Sequence, residues 1–253
     1  MVDAPRAVKT GSVRAAPDNK VRFGGENGMN ESQRRRPVVY QGDLAGLVER
    51  ANWIAESGPR RILGITGAPG SGKSKLAAAL VAALGERAAF VPMDGFHLAN
   101  SELIRLDRRD RKGAIDTFDG AGYVALIQRL HRADESVVYA PEFRREIEEA
   151  IAGAIAVPRE VRLVVTEGNY ILANQAPWTE LGQLIDQVWY VDPGEDMRIA
   201  RLVGRHIAYG KDPAAARAWA LGSDQRNAEL IAATQIKADL EIRSLDLIPD
   251  RPV

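Results

Sequence analysis

Arg61-Ile62-Leu63-Gly64-Ile65-Thr66-Gly67-Ala68-Pro69-Gly70-Ser71-Gly72-Lys73-Ser74-Lys75 is an apolar run, a glycine-rich turn and a lysine-serine pair in direct succession. Arg61 to Thr66 has the length and composition of a buried strand, and the stretch from Lys75 to Leu84 is built of helix formers. Between them, two glycines separated by four residues precede lysine and serine, the pattern of a phosphate-binding loop. Glycines let successive backbone N–H groups turn inward around a phosphate, and the N-terminus of the next helix adds partial positive charge. Gly67, Ala68, Pro69, Gly70, Ser71, Gly72, Lys73, Ser74 and Lys75 are therefore the expected nucleotide-binding residues. Lys73 is expected to reach the β- and γ-phosphates of ATP, and Ser74 to give an oxygen to Mg²⁺.

Outward from this stretch the same alternation continues. Upstream, Leu44, Leu47, Val48, Ala51, Ile54 and Ala55 recur at helical spacing between Asp43 and Glu56, and Gly58-Pro59 ends the run. Downstream, Ala88 to Val91, Val161 to Val165 and Gln187 to Val191 read as strands, each followed by loop residues and then helical periodicity. Asp192-Pro193-Gly194-Glu195 predicts a helix capped by Asp192 with proline at its first position, and Asp212-Pro213 repeats the signal. Ala238 to Ile242 reads as a last, edge strand. The fold expected is α/β, a three-layer P-loop NTPase fold with a parallel sheet, helices on both faces and a mobile helical lid. Residues 1–36 are glycine- and arginine-rich without apolar periodicity and read as a disordered tail, leaving 37–253 as the P-loop domain.

Composition narrows the partners. Lysine plus arginine equals aspartate plus glutamate at 34 each, so no global field favours nucleic acid or an acidic membrane. With no cysteine there is no thiolate cluster or thiol nucleophile, which suits the cytoplasm as the expected location. No stretch approaches about 18 consecutive apolar residues, so no membrane partner is expected. A homodimer is left open.

Other residues separate the nucleotide-using classes. No Asn-Lys-x-Asp guanine-reading element follows the loop, and no Leu-Ser-Gly-Gly-Gln signature occurs. Val91-Pro92-Met93-Asp94-Gly95-Phe96-His97 puts an acid just past a strand's carboxyl end, where open α/β sheets bind substrates. Asp94 there can take the proton of an attacking hydroxyl or help hold Mg²⁺, although Asp-Gly is also a common turn. Glu167, in Val164-Val165-Thr166-Glu167-Gly168, occupies the place of a metal-organising carboxylate.

Taken in order, Pro92-x-Asp94-Gly95-Phe96, Arg111-Lys112-Gly113, Thr117-Phe118-Asp119, Val138-Tyr139 and Glu167-Gly168 resemble the uridine kinase, pantothenate kinase and phosphoribulokinase superfamily. Within it the chain looks like the bacterial nucleoside/nucleotide kinase branch, the fructose-transport-system kinase-like proteins. The resemblance runs from about Asp43 to Ile242. It implies that Asp94 is the catalytic base and that Glu167 assists the metal with Ser74. Arg198 to His206 resembles the family's lid helix, which implies that Arg201 and Arg205, four apart on one helical face, neutralise the transferring phosphoryl group. Gly204 and Ala208 stand where the uridine kinase pattern has further basic residues.

The acceptor is less determined. His97, beside the base, is one expected substrate contact, as are Arg111 and Lys112 of a basic cluster that includes Arg108 and Arg109. Phe118, Asp119, Tyr139 and Phe143 are candidates for the acceptor pocket. Arg144 and Arg145 carry no stronger signal, and His131 reads as structural. The expected activity is ATP- and Mg²⁺-dependent phosphorylation of a hydroxyl on a sugar, nucleoside or similar small metabolite. The alternative is a nucleotide-hydrolysing regulatory module that acts on a protein partner.

Overall fold

Asp43 accepts the Gly46 amide at 3.0 Å and so caps α1 (Leu44–Glu56), which follows a short strand, β1 (Val38–Tyr40). The computed structural model describes residues 36–243. After α1 come β2 (Arg61–Thr66), α2 (Lys73–Leu84), β3 (Ala88–Pro92), α3 (Asn100–Arg105) and α4 (Gly120–Arg132). An antiparallel hairpin, β4 (Val137–Arg144) and β5 (Glu149–Pro158), leads to β6 (Leu163–Glu167) and β7 (Gln187–Val191). Then follow α5 (Glu195–Ala208), α6 (Pro213–Leu221), α7 (Ser223–Ala232) and β8 (Leu240–Ile242).

Six strands form one parallel sheet in the order β1-β8-β7-β2-β6-β3. Alternate residues feed its two faces, as a sheet covered on both sides requires. Leu63 and Ile65 of β2, Leu163 and Val165 of β6, and Trp189 and Val191 of β7 pack with Leu47 and Ile54 of α1 and Leu76 and Leu80 of α2. Ile62, Val164, Val188 and Tyr190 face the other way, onto Tyr123 and Ile127 of α4, Trp178 and Ile231 of α7. The register aligns Ile65 of β2 with Glu167 of β6, and Glu167 in turn with Pro92 of β3. The acid on β6 therefore stands between the turn after β2 and the turn after β3.

The mixed α/β architecture with its parallel sheet is the expected one, with four local corrections. The helix after the glycine-rich turn starts at Lys73 rather than Lys75, because the turn itself closes the first helical bonds. Asp192 does not cap α5: its side chain accepts the Gly194 amide in a turn, and Gly194, at φ +86°, is the residue before the helix. The strand at Leu240–Ile242 is not an edge, since β1 pairs on its outer side. The sequence reading missed β1 and the β4–β5 hairpin, whose irregular register opposite Ala140–Glu142 blurs the period of two. The tail expected over residues 1–36 lies, up to residue 35, outside the described residues, as do residues 244–253.

Candidate active site

The turn from Gly67 to Gly72 closes tightly for a reason visible in its surroundings. A Cβ on Gly67, at φ +148°, would stand 2.4 Å from the Val191 carbonyl oxygen, and one on Gly70, at φ +82°, 2.6 Å from the Arg198 carbonyl oxygen. Only glycine fits either position. Inside the turn, Lys73 is buried and its ammonium donates to the Ala68 carbonyl at 3.3 Å. Burial lowers its pKa, which the Glu167 and Asp94 carboxylates partly offset. Ser71 Oγ is buried without a hydrogen-bond partner among the described residues. A buried ammonium and an orphaned hydroxyl, framed by a loop that excludes side chains, suit an anionic ligand that brings its own acceptor oxygens.

Next to Lys73, Ser74 Oγ donates to Glu167 Oε1 at 3.1 Å. Burial first, and the nearby Asp94 carboxylate second, push the Glu167 pKa up, against the pull of Lys73. A cation at this point would reverse that penalty. The donor set is oxygen only, which suits a hard ion such as Mg²⁺, held by one or two carboxylates with phosphate and water completing its shell. Among the described residues no group of three or more His, Cys, Asp and Glu side chains forms a metal cage.

Asp94 lies in the short turn Met93–Phe96 that follows β3. Its carboxylate is one-third exposed, and Arg145 Nη2 approaches it at 3.5 Å. The His97 Nδ1–H donates to the Asp94 carbonyl at 2.8 Å, which leaves Nε2 as the acceptor in the neutral ring. Burial lowers the His97 pKa. The His97 ring packs between Phe118 and Phe143, with centroids 4.0 and 4.8 Å away.

These groups open onto one cavity of about 420 Å³, lined by Lys73, Ser74, Asp94, Glu167 and Arg205 among others. The Arg201 guanidinium reaches the loop from outside the lining, donating to the Ser71 carbonyl at 3.3 Å. Arg205 lines the cavity itself, its pKa lowered by burial and then by Arg145.

The expected substrate contacts divide. His97, Lys112 and Phe118 line the cavity. Arg111 instead pairs with Asp116 at 2.5 Å, Asp119 caps α4 by accepting the Gly122 amide at 2.8 Å, and Tyr139 is exposed on the hairpin. None of these three lines the cavity. His131 contacts the Leu184 carbonyl away from it. Arg145, to which the sequence reading gave no stronger signal than to Arg144, lines it too, as do Asn169, Asp224 and Asn227, which that reading did not propose. Asp224 holds His206 at 2.8 Å between α7 and α5. The i, i+3 spacing of Asp224 and Asn227 on a helix was the available signal. No such signal exists for Arg145, which only the hairpin turn distinguishes from its neighbour.

No family model matches the chain. A Schizosaccharomyces pombe protein named "Putative uridine kinase" is 34% identical over 173 residues, 65% of this chain and 74% of that protein. The Aspergillus versicolor "ATP-dependent kinase-like protein notR'" is 34% identical over 153 residues, 57% of this chain and 89% of that protein. The crystal structure of a "putative fructose transport system kinase" from Silicibacter sp. TM1040 superposes with a TM-score of 0.72 at 37% identity, covering 79% of this chain and 99% of that one. With its phosphate loop, its parallel sheet and these relatives, the chain belongs to the uridine kinase-like family of P-loop kinases.

Proposed function

We propose that the protein transfers the γ-phosphoryl group of ATP to a hydroxyl of a small metabolite, with Mg²⁺ as the companion ion. The observation that carries this reading is the meeting of Lys73, Ser74, Glu167 and Asp94 in one cavity at the carboxyl end of the sheet.

Each group has a role that its surroundings support. The loop amides and Lys73 bind the triphosphate. Ser74 and Glu167 would hold Mg²⁺, which supplies charge neutralisation when bound. Asp94, the least enclosed of the acids facing the loop, orients the acceptor hydroxyl and takes its proton. The acceptor oxygen then bonds to the γ-phosphorus while the bond to the β–γ bridging oxygen breaks, leaving ADP. Arg205, with Arg201 beside the loop, offsets charge on the moving group. Little covalent work falls to the protein, and positioning dominates.

A panel of hydroxyl-bearing metabolites, screened for acceptor-dependent ADP release, tests the proposal. A kinase gives turnover that rises with one acceptor class and falls away in Asp94→Asn. Nucleotide hydrolysis that ignores every acceptor and rises only with a protein partner would refute it.

A further inference from the structure

The acceptor side of the cavity carries cations that the phosphate loop does not use. Of the basic residues in the two nearby segments, Arg108 and Arg111 are committed to Asp116, and Arg144 to Glu142 at 2.7 Å. Arg109, Lys112 and Arg145 remain, and all three line the cavity with Asp94 and His97. Lys112 is fixed in place: its ammonium donates to Asn100 Oδ1 at 2.8 Å and to the Glu148 carbonyl at 2.5 Å, with the Phe143 ring 5.0 Å away. Two of its three N–H groups are thereby used and one is left.

Arg145 poses the sharper problem. It touches Asp94 through one nitrogen at 3.5 Å, too long for a good hydrogen bond, and among the described residues most donors of its planar fork stay uncommitted. A planar guanidinium pairs best through two parallel hydrogen bonds to an oxyanion, and the single long approach to Asp94 does not use that geometry. An arginine in this position makes chemical sense if a bound anion draws it off the carboxylate.

We propose, resting on the kinase reading above, that the acceptor carries an oxyanion group, a carboxylate or a phosphate, held by Arg145 with Lys112 and Arg109. Arg145 then pairs with the acceptor and leaves the Asp94 carboxylate open to the acceptor hydroxyl. The aromatic wall of Phe118, His97 and Phe143 covers the carbon skeleton between the two ends. A neutral acceptor leaves Arg145 on Asp94, so the same arginine that binds the correct substrate disfavours the wrong one.

The test separates this from the kinase reading by filling the nucleotide site first. The full chain is titrated with Mg²⁺ and a non-hydrolysable ATP analogue, and the loaded protein is then titrated at constant ionic strength with inorganic phosphate in one arm and malonate in the other. Binding is followed by calorimetry and by the rise in melting temperature. One further anion site is expected in at least one arm, and the tighter arm identifies the oxyanion. Arg145→Gln should weaken it by about tenfold to a hundredfold, the range for losing charge-assisted hydrogen bonds. Arg144→Gln, its exposed neighbour at the end of β4, should leave it unchanged. Arg145 is itself exposed, so a melting temperature equal to wild type checks that its variant folds. The proposal is overturned if neither anion binds the loaded protein, or if both bind Arg145→Gln as well as wild type. It is also overturned if that variant loses nucleotide affinity and keeps the anion site. Failure of the analogue to bind in the first titration would remove the kinase reading, and this proposal with it.

Discussion

The two ends of the central sheet both bury charge, and they treat it in opposite ways. At the amino end, Arg60 is buried, and its guanidinium donates to the carbonyls of Val161, Leu130 and Pro158 at 3.0, 3.4 and 2.5 Å. Asp186 accepts the Ile62 amide and the Arg61 guanidinium, each at 2.7 Å. At the carboxyl end each of these charges makes a single contact of 3.1 Å or more: 3.3 Å from Lys73, 3.1 Å at Glu167 and 3.5 Å at Asp94. One end spends its charges on the protein's own backbone and ties α4, β5 and the lead-in to β6 together. The other leaves them underused, which costs stability and prepares a site for a charged ligand. In a parallel sheet the two jobs separate naturally, because every strand ends on the same side.

If that division holds, variants at the carboxyl end should lose activity and keep their fold. The largest effect is expected from Asp94→Asn, which preserves shape but removes the proton acceptor. Turnover should fall by about 10² to 10⁴-fold, with nucleotide affinity changing far less because Lys73 and the loop amides remain. A rate restored by saturating Mg²⁺ would make Asp94 a metal helper instead of a base. Next comes Lys73→Ala, expected to lower turnover by about 10² to 10³-fold, as for a lost oxyanion donor. Wild-type turnover in this variant, measured by ADP release, would break the assignment of the loop.

How much of this was legible beforehand follows the same division. The elements around Gly67 to Ser74 declare themselves because strand, turn and helix each demand distinctive residues. Asp94 and Glu167 could be singled out because strand ends are where such sheets act, and the register aligning Ile65, Glu167 and Pro92 brings them together. The acceptor side was read less well. Arg111 and Asp119 looked like binding residues, but Asp116 and the first turn of α4 claim them, which no local pattern reveals. Arg145 depends on a hairpin whose exposed alanines and broken register hide it from any search for alternation. The amino-end network was invisible too, since Arg60 reaches carbonyls 70 to 101 residues away in sequence.

Arg60→Met sharpens the comparison from the structural side. Methionine fills similar space but takes the guanidinium from three carbonyls, of which Pro158 keeps the Val161 amide, at a cost of about 1 to 3 kcal/mol for a buried group left unsatisfied. The melting temperature should drop by several degrees, at about 2 to 4 °C per kcal/mol for a chain of this size. Turnover per folded molecule at low temperature should stay near wild type. A variant that melts normally would mean water replaces the guanidinium, and the amino end would then be no better satisfied than the site.

The smallest effect expected is a pH dependence of stability that originates at the site. Glu167 has its folded pKa raised to about 7, by burial and then by Asp94. The folded protein therefore binds a proton more tightly than the unfolded chain, whose glutamate titrates near about 4.3. The resulting stability is fully present below the unfolded value and is lost as pH rises through the folded one. Without ligand, the unfolding free energy should fall between about pH 4.5 and 7.5 by an amount on the order of 1 to 3 kcal/mol, and the melting temperature with it. Glu167→Gln, which fixes the neutral form, should flatten that fall while reducing turnover. Mg²⁺ and nucleotide should flatten it in wild type as well, because a bound cation favours the carboxylate. Equal slopes in wild type and Glu167→Gln, with and without Mg²⁺ and nucleotide, would mean that the carboxyl end carries no charge penalty for a ligand to relieve.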